Sequence, residues 1–157
     1  MPKKSKNARL AQPVIPSQSQ IVREGMLIFG AALLVRLIYF FQLKASPFFY
    51  PVTNGLDPEL YVGWAREIAA GDWVGKEFFI GMPLYAYFLA VIFLVAAKSV
   101  AAAIMAQLVL GAFNSWLVYR LGLTLFNRGV SLIAAGLSLA YLLMIFNDGQ
   151  LTSTTLT

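Results

Sequence analysis

Apolar positions in this chain run in long blocks rather than in stripes. Residues 25–43 (GMLIFGAALLVRLIYFFQL), 99–119 (SVAAAIMAQLVLGAFNSWLVY) and 130–146 (VSLIAAGLSLAYLLMIF) are almost unbroken apolar runs. A helix needs roughly 20 such residues to cross the hydrocarbon layer of a bilayer, so the pattern predicts three spans. A fourth block, 82–97 (MPLYAYFLAVIFLVAA), is close to the lower limit for crossing. Small residues recur in the second and third runs, among them Ala134, Ala135 and Gly136, and they suit close helix packing in lipid.

Between the first and fourth blocks the pattern changes. Residues 44–56 carry Pro47, Pro51 and Asn54-Gly55, which are turn signals. Residues 57–70 then read as a short amphipathic helix. Asp57 suits its cap, Pro58 its first turn and Glu59 the positive end of its dipole. Leu60, Tyr61, Trp64 and Ile68 are predicted to share its apolar face, and Gly71 to stop it. Such a helix lies in the headgroup plane.

The arginines decide between two topologies. If 82–97 crosses fully, Arg120 and Arg128 fall on the side opposite the basic N-terminus. If 82–97 lies along the membrane or dips into it, they join that terminus, as the bias of Lys and Arg toward the cytoplasm favours. The second arrangement puts Lys98, the acidic loop and Asp148 on the outer side, Asp148 as a solvated helix end. The expected fold is therefore an all-α integral membrane protein. It has three or four transmembrane helices and interfacial helices, 57–70 and 82–97, in its first outer loop. Residues 1–22 are expected to be a disordered, basic cytoplasmic tail, and 23–157 the membrane domain.

Composition supports a bilayer as solvent. The chain is 59% hydrophobic and 12% charged, with a mean hydropathy of +0.72, whereas soluble domains carry roughly 25% charged residues. There is no Cys and no His. That excludes disulfides, thiol nucleophiles, imidazole bases and the usual zinc cages, and no metal ligands are expected. The net charge of +5 is concentrated in the tail, which indicates orientation and argues against nucleic acid as a partner.

Candidate chemistry then rests on carboxylates and cations. The stretch 57–93 holds five of the seven acidic residues. Asp57 has the form of a simple helix cap, as most Asp residues in such a sequence do, and otherwise is a general base that takes a proton from an attacking hydroxyl or amine. Glu59 is a second acidic candidate, otherwise a partner of the helix dipole. Arg36, Arg66 and Lys76 are candidate phosphate contacts, otherwise ordinary charges. Arg36 lies inside the first span, where a guanidinium costs about 3 kcal/mol. It either snorkels toward the outer interface beside Tyr39, or meets a lipid phosphate or an acid on another helix.

The order of motifs resembles a known group. An Arg near the end of a first span is followed by D-x-x-x-Y-x-x-W-A-R-E-I-A-A-G-D-W from Asp57. Then come M-P-L-Y-A-Y-F-L-A from Met82, Q-L-x-L-G-A from Gln107 and L-V-Y-R-L-G from Leu117. From Arg36 onward this resembles the N-terminal part of the GT-C membrane glycosyltransferases, family 39-like. That group includes protein O-mannosyltransferases and lipid A aminoarabinose transferases.

The resemblance implies an inner-membrane enzyme that transfers a sugar from a polyprenyl phosphate to an acceptor lipid, glycan or protein at the outer face. It needs no cofactor beyond that donor. It maps the family's essential acid onto Asp57, with Glu59, Tyr61, Arg66, Lys76 and Arg36 as substrate contacts. Many members carry two adjacent acids where Pro58 follows Asp57 here, and a Lys where Gly81-Met82 stands. Members have about twice as many spans or more, so the chain is expected to be an N-terminal fragment, inactive alone. The competing expectation is a non-enzymatic membrane scaffold or a transporter fragment.

Overall fold

The structure, a computed structural model, describes residues 16–49, 57–74 and 82–153. Its elements are helices α1 (Gln18–Lys44), α2 (Asp57–Ala69), α3 (Pro83–Val95), α4 (Val100–Leu125), α5 (Arg128–Ala140) and α6 (Leu142–Asp148). One turn of 3-10 helix, Pro47–Phe49, follows α1.

Local chemistry sets the ends. The side chains of Ser17, Ser99 and Asn127 accept hydrogen bonds from the backbone N–H groups of Gln20, Ala102 and Val130, and so cap α1, α4 and α5. The chain turns from α3 into α4 through Ala97 and Lys98, both left-handed at φ 49° and 62°. Because Ser17 caps it, α1 begins at Gln18, and the end of the predicted tail is helical. Both α1 and α4 outrun the predicted spans, since hydropathy marks only the apolar part of a helix. These two helices are long and apolar enough to cross a membrane.

The predicted span 130–146 is broken. α5 and α6 meet at a bend of 54° at Tyr141 and together make a third candidate span. Helix α3 has 13 residues, which at 1.5 Å per residue is about 20 Å, short of the roughly 30 Å layer.

The bundle is inside-out relative to a soluble one. Met26, Leu27, Leu34, Ile38 and Phe41 of α1 are more than half exposed, as are Ile133, Leu137, Leu142 and Phe146 of α5 and α6. In water such a continuous apolar surface is an aggregation liability, while in lipid it costs nothing. Where α1, α4 and α5 pack on one another many of the buried positions are small: Ala32, Ala103, Gly111, Ala112, Ser115, Gly122, Ser131 and Ala135. Small side chains let backbones approach, which is how helices hold together where lipid removes the hydrophobic driving force.

α4 is the central helix, packed most extensively on α1 and α5. A Cβ on Gly122 would stand 2.9 Å from Ser131 Cα of α5. Gly122→Ala must therefore push two backbones apart, and we expect it to cost about 1–3 kcal/mol. A Cβ on Gly136 meets nothing within 4 Å. Gly136→Ala should then leave stability unchanged or raise it by up to about 1 kcal/mol. Unfolding both variants in detergent micelles checks the contrast.

A second layer covers one end of the bundle. α2 packs along α3. One buried cluster joins them to Phe40 and Leu43 of α1, Phe49, and Val100, Ala103, Ile104 and Leu108 of α4. The buried face of α2 is Tyr61, Val62, Ala65 and Ile68. The expected face is thus partly wrong. Leu60 is 55% exposed and Trp64 is half-buried. Ala65, at 0% exposure, joins the buried cluster that α2 shares with α3, α1 and α4.

Candidate functional site

Two polar clusters are built into this apolar frame, one deep in the bundle and one at its tail end. The deep one is an ion pair. Arg36 Nε donates to Asp148 Oδ2 at 3.0 Å, and its Nη1 lies 3.5 Å from the Ala32 carbonyl one turn earlier. Arg36 is 1% exposed and Asp148 8%. The bend at Tyr141 leads α6 across α4, so that its last residue meets α1. Gly111 of α4 makes room: a Cβ there would lie 2.0 Å from Asp148 Oδ2 and 2.7 Å from Arg36 Nε.

This corrects two expectations. Arg36 does not snorkel to the outer interface but pairs with an acid on another helix, the second of its two readings. Asp148 is not a solvated helix end. The physical reason is shared: each charge inside an apolar span is expensive alone, and pairing is the cheapest remedy within reach.

The second cluster centres on Glu24, just before the apolar run of α1. Arg128 donates to it from Nη2 at 2.6 Å and from Nε at 3.0 and 3.2 Å, Tyr119 from its hydroxyl at 2.6 Å, and Gln20 from Nε2 at 3.1 Å. Beside it the Arg120 guanidinium sits 5.6 Å from the Trp116 ring centre. Trp116 in turn packs where Gly25 has no Cβ. Arg120 and Arg128 therefore share the end of the bundle at which α1 begins. Sequence reasoning missed Glu24 and Tyr119. The available signal was a carboxylate at the mouth of an apolar run, which needs a partner.

The predicted acidic site lies at the other end, on α2. Asp57 opens that helix and is exposed, Arg66 is exposed, and Glu59 is half-buried. Tyr61 is buried at 7% exposure, and its hydroxyl accepts the backbone N–H of Met82 at 3.2 Å. It meets Tyr85 edge-on, ring centres 4.9 Å apart. Tyr61 thereby ties the start of α3 to α2. Lys76 lies outside the described residues. The α2 residues are thus held together, while Arg36 is committed to Asp148 inside the bundle.

Polar groups continue between these places. Gln107 of α4 is fully buried and donates to the Gln150 carbonyl at 3.2 Å, next to the Tyr85 hydroxyl. Near α2, the Tyr87 hydroxyl donates to the Trp73 carbonyl, and the two rings stack 6.5 Å apart. Among the described residues no group of three or more Asp, Glu, His or Cys gathers as metal ligands would.

No family model matches the chain, and neither a curated protein nor a solved structure is detectably similar to it.

Proposed function

We propose that the chain is the N-terminal part of a membrane glycosyltransferase that takes its sugar from a polyprenyl phosphate, with Asp57 as the base that activates the acceptor. The observation that carries this reading is the position of Asp57. It is an exposed carboxylate at the start of a helix fixed over one end of an apolar bundle. The start of α1 and Arg120, Arg128 and Glu24 occupy the opposite end. A base there would be in water yet within reach of a donor whose lipid tail stays in the bilayer.

The mechanism is displacement at the anomeric carbon. Asp57 accepts the proton of the attacking hydroxyl or amine as the new glycosidic bond forms. The bond from the anomeric carbon to the phosphate oxygen breaks, and the leaving phosphate carries the negative charge. Arg66 is the exposed cation on the same helix that could steady it. Arg36, enclosed with Asp148, has a positioning role: it fixes α6 against α1 and so the core on which α2 and α3 rest. The interfacial orientation of α2 and α3, an inner-membrane location and a cytoplasmic tail belong to this proposal.

The test is transfer of labelled sugar from a polyprenyl-phosphate donor in membranes carrying the polypeptide of which this chain is part. Label should reach the acceptor with Asp57 in place and stay at background with Asp57→Asn. Equal transfer by both would remove Asp57 from the mechanism.

A non-enzymatic scaffold is the second reading, favoured by the commitment of Arg36 and Asp148 to one another.

A further inference from the structure

We infer that the tail end of the bundle is a binding surface for anionic phospholipid, with Arg23 and Arg120 as its phosphate contacts. Both guanidinium groups are exposed. They stand on neighbouring helices around one level of the bundle: Arg23 precedes Glu24 and Gly25, and Arg120 lies over the Trp116 ring that packs on Gly25.

Each cation heads a stripe of exposed apolar side chains on its own helix. On α1, Met26 and Leu27 follow Arg23 by three and four residues, and each is 67% exposed. On α4, Leu117 and Phe113 precede Arg120 by three and seven residues and are also exposed. Residues at these spacings share one helix face. A guanidinium at the top of an apolar stripe matches a phospholipid, phosphate above and acyl chain below. Ser17, Ser19 and Gln20 line one recess with Arg23 and add hydroxyl and amide groups that can meet a glycerol or phosphate oxygen.

Charge selects among lipids. Glu24 answers Arg128, which leaves Arg23 and Arg120 in excess, and Lys3, Lys4, Lys6 and Arg9 precede them in the sequence. The opposite end carries Asp57, Glu59, Glu67 and Asp72. At that end the acids offset Lys44, Arg66 and Lys98, so an anionic headgroup is favoured at the Arg23–Arg120 end, and more strongly than a zwitterionic one. The apolar stripes favour lipid over a soluble polyanion, which has nothing to lay against Met26 and Leu117.

The experiment uses the full chain, extracted into detergent and exchanged with mixed phosphatidylglycerol and phosphatidylcholine. Native mass spectrometry then counts the lipids retained. Phosphatidylglycerol should be enriched. The double variant Arg23→Gln/Arg120→Gln should lose that enrichment by about fivefold per cation removed. Arg23→Lys/Arg120→Lys should keep most of it, which shows that folding is intact. Lys44→Gln/Lys98→Gln, at the other end, should retain it fully. Unchanged enrichment in the Gln variant, or an equal loss in the Lys44/Lys98 control, overturns the assignment.

Discussion

Replacing Arg36 by Ala should destabilise the bundle by about 3–5 kcal/mol, because Asp148 would be left as an uncompensated charge inside an apolar span. Asp148→Ala should cost a similar amount for the same reason, with the guanidinium stranded instead. Neither loss measures what the pair contributes, since bringing both charges out of water is itself costly. Replacing both together, Arg36→Met with Asp148→Leu, should therefore return stability to within about 1 kcal/mol of the original or above it. The large non-additivity is the signature of direct contact. Reversible unfolding in mixed micelles reads all four states of the cycle. Two small, additive single effects would mean that the 3.0 Å pair is not formed in the membrane.

The second large effect concerns chemistry rather than stability. Losing a general base typically costs about 10²–10⁴ in rate, and Asp57→Asn should reduce transfer within that range. Asn is chosen because it serves a helix N-terminus nearly as well as Asp does, whereas Ala there would cost about 1 kcal/mol of helix stability. The variant thus separates the two readings of Asp57. A residue that only caps α2 tolerates Asn with transfer intact. A residue that takes a proton does not, while the protein still inserts and its unfolding midpoint stays in place. Glu59→Gln, two residues along α2, should leave most activity.

The elements that were legible in the sequence are those set by neighbours in the chain. The apolar runs located α1, α3 and α4, and Asp57-Pro58-Glu59 with Gly71 marked α2 nearly to the residue. Ser17 could have extended the start of α1, as it stands three residues before a donor N–H. What was not legible lies far apart along the chain. Arg36 and Asp148 are separated by 112 residues, and Glu24 and Arg128 by 104. A lone sequence shows that each charge needs a partner but not which one. The bend at Tyr141 has no Pro or Gly beside it. It brings Asp148 against Gly111 and Arg36, a tertiary contact that no local signal encodes. The face of α2 shifted for a similar reason: hydrophobicity nominated Leu60 and Trp64, but packing in the shared cluster buries Val62 and Ala65 instead. Of the candidate site, Asp57, Glu59 and Arg66 are held on one helix as read, while Tyr61 is core and Arg36 is enclosed.

The role proposed for Asp57 requires α2 and the Arg120–Arg128 corner to face opposite sides of the membrane. Cysteine labelling tests this directly, because the chain has no native Cys. Single Cys residues placed at Glu67 and at Arg120 are offered a membrane-impermeant maleimide, first to intact cells and then to lysed ones. Position 67 should label in intact cells and position 120 only after lysis. Labelling of both positions from the same side would contradict the arrangement, and with it the role proposed for Asp57.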